Sequence, residues 1–63
     1  MKKILFKSAE LEKEILVGEV GELVYALCKN VDEVNNAIRW CNAHKTGEVF
    51  NSELYTMEIL NDK

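Results

Sequence analysis

Six side chains in this sequence have types and spacings from which chemistry or recognition could be built: Glu19, Glu22, Tyr25, Glu33, Trp40 and His44. Glu19 and Glu22 are three apart, so on a helix their carboxylates share a face and could grip one divalent cation, with Glu33 as a third acid. The same spacing is common on solvated helix faces, and by itself it selects neither reading. Cys41 and His44 are also three apart, the spacing of a thiol and its base, but nothing in the sequence supplies an orienting third group or an oxyanion hole. No catalytic residue is therefore assigned. Trp40 and His44, four apart, share one helix flank. There Trp40 either seals the edge of a small core with His44 stacked on it, or stands half exposed as an interface anchor, with Tyr25 as companion.

These residues need elements to hold them. Residues 2–7 read as a short strand, with Ile4 and Phe6 on one face and Leu5 on the other. Ser8 is placed to cap a helix whose first residues, 9–14, are helix formers with acids in the first turn. From Leu16 to Cys28 the apolar residues Leu16, Val17, Val20, Leu23, Val24, Leu27 and Cys28 fall within about 140° of a helical wheel. Ile15, Tyr25 and Ala26 do not fit that stripe, and two interior glycines cost roughly 1 kcal/mol each. The alternative is a β-hairpin around Gly18–Gly21, but strict alternation fails there. Asn30 caps a second helix, and Glu33 three residues later makes a near capping box. Val31, Val34, Ala37, Ile38 and Cys41 line its inner face, and it should end near Lys45, before Thr46-Gly47. After a short loop, residues 54–60 alternate, with Tyr55, Met57 and Ile59 facing one way. The expected fold is one α+β domain over residues 1–63, a two-helix hairpin packed on a short antiparallel sheet of the N- and C-terminal strands. The alternative is ββαβ.

The segment Glu19-Val20-Gly21-Glu22-Leu23-Val24-Tyr25-Ala26-Leu27-Cys28-Lys29 resembles the first metal-binding helix of the MazG-like nucleotide pyrophosphohydrolases. Those all-α enzymes hold Mg²⁺ with Glu-x-x-Glu on one helix and Glu-x-x-Asp on the next. The resemblance implies Glu19, Glu22 and Glu33 as Mg²⁺ ligands and nucleoside triphosphates as substrates. It covers about residues 14–36, and Asn36 stands where the family has an aspartate.

Composition narrows the classes further. The 63 residues are 48% hydrophobic and 30% charged, which is globular composition. No apolar run approaches the ~18–20 residues of a membrane span, and no signal-peptide pattern is present. The net charge of −3 is uneven: residues 1–7 carry three lysines and no acid, while residues 8–35 carry seven acids against Lys13 and Lys29. Without a basic stripe, direct nucleic-acid binding is not expected. In a helical hairpin Cys28 and Cys41 lie roughly 12 Å apart along the axes at about 1.5 Å per residue. They read as unbridged thiols of a reducing compartment, the cytoplasm of a bacterial or infected host cell. A small acidic chain without disulfides resembles, in size and composition, the host-takeover and anti-defence inhibitors encoded by bacteriophages. The expected activity is occlusion of a larger protein partner, with no cofactor. The alternatives are the Mg²⁺-dependent hydrolase or a homodimeric structural module joined through its strands or hairpin.

Overall fold

The computed structural model describes residues 2–62. Strands β1 (Lys3–Ser8) and β2 (Glu12–Leu16) are followed by a 3-10 turn (Val17–Glu19). Helices α1 (Val20–Cys28) and α2 (Val31–Ala43) come next, then strands β3 (Val49–Asn51) and β4 (Tyr55–Asn61). The four strands form one antiparallel sheet in the order β2-β1-β4-β3, with both helices packed on one face. This is the expected α+β class, and the N- and C-terminal strands do pair, Phe6 lying opposite Met57 and Ile4 opposite Ile59.

Alternation decides which residues the sheet buries. Ile4 and Phe6 from β1, Ile15 from β2, and Tyr55, Met57 and Ile59 from β4 face the helices and are buried. Val20 and Val24 from α1 and Ala37 and Cys41 from α2 meet them. Gly21 lets the helices approach closely: a Cβ there would sit 3.4 Å from both Val34 and Ile38 side chains.

One expectation is overturned. Residues 9–16 do not begin a helix; a turn closed by the Ser8 N–H donating to the Leu11 carbonyl (2.7 Å) reverses the chain into β2. Pairing β2 with β1 sets Ile15 beside Ile4 and buries it, which accounts for its misfit on the helical stripe. Helix propensity separates such residues by only tenths of a kcal/mol, less than burying an isoleucine side chain contributes. The ββαβ alternative misplaces its hairpin as well, since residues 22–28 are helical. Strand β3 falls in what reads from sequence as loop.

Both helices are stopped by identifiable devices. Lys29 adopts a left-handed conformation (φ 53°) and its N–H donates to the Tyr25 carbonyl at 2.8 Å. The Asn30 side-chain oxygen accepts from the Asp32 and Glu33 N–H groups at 2.9 and 3.3 Å, so α2 starts where its cap predicts. It ends at Ala43, two residues before the expected stop. No basic residue occupies its last turn; instead Lys2 Nζ, from the opposite end of the chain, donates to the Cys41 and His44 carbonyls at 2.6 and 2.9 Å. That places a cation on the negative end of the helix dipole and satisfies carbonyls the helix leaves orphaned.

Candidate functional site

The three carboxylates singled out from the sequence go to three different places. Glu19 precedes α1, in the 3-10 turn, and its Oε2 accepts the Leu16 N–H at 3.0 Å. Glu22 lies exposed in the first turn of α1. Glu33 lies in the first turn of α2, partly buried, where its charge acts on the Tyr55 phenol. Among the described residues no group of three or more His, Cys, Asp or Glu side chains is placed to hold a metal ion. A divalent cation needs convergent oxygen donors, and with Glu19 committed to a backbone amide this trio does not present them.

The aromatic residues do come together. His44 stacks on Trp40 with ring centroids 4.4 Å apart and planes 18° apart, and its Nδ1 lies 2.8 Å from the Trp40 carbonyl oxygen. Trp40 meets Phe50 at 5.4 Å, Phe50 meets Tyr55 at 5.8 Å, and Tyr55 stacks on Phe6 at 5.4 Å. This chain of rings runs from the end of α2 into the core, so Trp40 and His44 seal its edge. Tyr25 joins none of these ring contacts among the described residues and stands half exposed on α1.

Cys41 is a core thiol. Its Sγ packs 3.9 Å from Met57 Sδ, and burial raises its pKa, an effect the nearby Lys2 charge partly offsets. The Cys41 thiol is directed at Met57, while His44 Nδ1 faces the Trp40 carbonyl and its ring lies on the indole. Cys28 and Cys41 are both free thiols. Tyr55 is the buried group under most electrostatic stress. Its hydroxyl has no hydrogen-bond partner among the described residues, although Glu33 is near enough for its charge to be felt. Burial first, then the charges of Glu33, Cys28 and Cys41, and last the Glu33 carboxylate facing the hydroxyl beyond good hydrogen-bond geometry, push its pKa up to about 12.

The feature that sequence reasoning missed is a groove at one end of the molecule. Phe6, Leu11, Leu23, Ala26 and Leu27 line a cavity of about 170 Å³ between α1 and the β1–β2 turn, with Ser8 and Glu10 at its rim. A second cavity of about 180 Å³ adjoins it, sharing Ser8, Glu10 and Leu27 and adding Leu54. Leu11, Leu27 and Leu54 are 37%, 40% and 52% exposed. Small-molecule sites usually span about 300–1,000 Å³, so each hollow suits a side chain of another molecule better than a whole substrate. The sequence signal was faint, because Leu11 is a single apolar residue between two glutamates and Leu54 reads as the first residue of the last strand.

An open hollow of about 310 Å³ adjoins these cavities at Ser8, Ala9 and Leu54 and is lined largely by polar residues (Lys7, Ser52, Glu53, Thr56), while Tyr25, Val31 and Val49 are exposed apolar side chains elsewhere. The sheet face away from the helices carries exposed ion pairs, Lys3 with Glu14 and Lys7 with Glu12, each 3.8 Å. No helix among the described residues is long and apolar enough to cross a membrane. No known protein family, curated protein or solved structure matches the chain.

Proposed function

We propose that this protein is a small acidic binding module that inhibits or modulates a larger protein by occluding part of its surface. The observation that carries this reading is the groove bounded by Leu11, Leu23, Leu27 and Leu54, apolar side chains left at the surface around a hollow of side-chain size. Contiguous exposed apolar surface rimmed by polar groups is typical of protein interfaces. Glu10 on the rim, and the acidic excess of residues 8–35, favour a partner whose contacting surface is basic. Size, acidity and unbridged cysteines suit the phage-encoded inhibitor style and a reducing cytoplasm.

The test is co-purification of a tagged copy from bacterial lysate, followed by assay of the recovered partner's activity with and without the protein. A stoichiometric partner that loses activity in the complex, and escapes a Leu27→Glu variant, is the expected result. Recovery of nothing stoichiometric, together with Mg²⁺-dependent cleavage of nucleoside triphosphates that a Glu22→Gln variant loses, would replace this reading with the hydrolase.

A further inference from the structure

Strand β2 is an edge of the sheet, and what it presents there is selective. The bonds that bracket the β1–β2 hairpin are Ser8 N–H to the Leu11 carbonyl at one end and Val17 N–H to the Lys2 carbonyl at the other. In an antiparallel ladder the bonding residues alternate, so Leu11, Lys13, Ile15 and Val17 turn their backbone toward β1. Glu12, Glu14 and Leu16 turn theirs outward. Glu19 closes one end of that row, its carboxylate occupying the Leu16 N–H. What stays open to another strand is the N–H and carbonyl of Glu12 and Glu14, and the side chains of those two residues flank the same opening on the helix-free face. Each glutamate has a lysine on its β1 side only, 3.8 Å away and well exposed. On the helix side, the strand leads back to Leu11 and the apolar groove.

We propose that β2 accepts an extended segment of the partner as a fifth strand, antiparallel, with the side-chain order basic, any, basic, apolar from N- to C-terminus. This deepens the protein-binding reading and rests on it. Opposite Glu14 and Glu12 the segment's basic side chains fall on the helix-free face, so each glutamate lies between two cations. The intervening residue, opposite Lys13, faces the helix side. The next, opposite Leu11, also faces the helix side, and its apolar side chain enters the groove beside Leu23 and Leu27. Main-chain bonds supply attachment and alternate side chains supply selection, as in other strand additions.

The same charges disfavour a second copy of this chain as the occupant. In the symmetric antiparallel register centred on Lys13, Glu12 faces Glu14 of the other copy twice and Lys13 faces Lys13. In the register centred on Glu14, that glutamate faces itself. Like charges directly opposite destabilise a strand pair, so the edge admits a basic strand and resists its own duplicate.

The experiment uses the full chain, ¹⁵N-labelled, and a capped nonapeptide of alternating lysine and threonine ending lysine-leucine-serine. A scrambled peptide of equal composition and one with glutamate in place of lysine serve as controls. Binding should slow hydrogen exchange at the Glu12 and Glu14 amides, shift Leu11 and Leu27 resonances, and spare Trp40 and His44. A Glu12→Gln/Glu14→Gln variant should bind at least tenfold more weakly, and Glu12→Lys/Glu14→Lys should switch preference to the glutamate peptide; both positions are exposed on a folded domain. Equal binding of the scrambled peptide, unchanged exchange at Glu12 and Glu14, or no binding at millimolar peptide would each overturn the edge site. If a cellular partner still binds the Glu12→Lys/Glu14→Lys variant unchanged, the occluding function stands and the edge site falls. If the peptide adds to β2 but no cellular partner exists, the edge site stands and the occluding function falls.

Discussion

Tyr55 shows how one atom can be held at a cost by the packing around it. Its ring stacks on Phe6 and meets Phe50, which fixes the hydroxyl beneath the helices without a hydrogen-bond partner among the described residues. A buried unsatisfied hydroxyl costs about 1–3 kcal/mol. Tyr55→Phe should therefore leave stability at neutral pH unchanged or raise it by about 1 kcal/mol, measured by urea unfolding. The raised pKa has a separate signature. Between the ordinary tyrosine value of 10.0 and about 12, the unfolded chain loses the phenolic proton while the folded chain keeps it. Proton loss favours the unfolded state there, so stability is complete below pH 10 and falls as pH rises toward 12. Unfolding followed from pH 8 to 12 should show that decline in the native protein and a shallower one in Tyr55→Phe. An equal decline in both would remove Tyr55 as its source.

At the scale of elements, the helix ends carry the sharpest expectations. Lys29 holds a left-handed conformation at the end of α1, where glycine is the residue free of steric penalty. Lys29→Gly should stabilise the protein by about 1 kcal/mol, and a loss on substitution would mean the lysine side chain contributes something its backbone position hides. The next residue, Asn30, satisfies two amides of α2 at once. Asn30→Ala should cost about 1 kcal/mol, seen as a lower urea midpoint with an unchanged m-value. Asn30 and its helix could be anticipated because a cap and its amides lie within three residues of one another. The cap at the other end of α2 could not, because Lys2 is 39 residues from Cys41 and 42 from His44.

At the scale of the whole molecule, the sheet has two edges and neither invites a second copy. Strand β3 is three residues long, and β2 sets glutamate against glutamate in the self-pairings centred on Lys13 and on Glu14. Sedimentation at micromolar concentration should give a single species of 7.2 kDa. A concentration-dependent dimer would favour the structural-module reading over a monomeric binder.

The first and last strands, the start of α2, its inner face from Val34 to Cys41 and the α+β class followed from residue order alone, because period-two and helical alternation are local properties; Val31, read as part of that face, is exposed. Ile4 with Phe6, and Tyr55 with Met57 and Ile59, must face the same way whatever the rest of the chain does. The state of residues 12–16, the commitment of Glu19 to an amide, the approach of Glu33 to Tyr55 and the leucine-lined groove were decided only by tertiary structure. Glu12, Lys13 and Glu14 are good helix formers, yet pairing Ile15 with Ile4 and covering the β1 edge outweighs a preference worth tenths of a kcal/mol per residue. Leu11, Leu27 and Leu54 belong to three separate segments, and only the packing of α1 over the β1–β2 turn makes them neighbours.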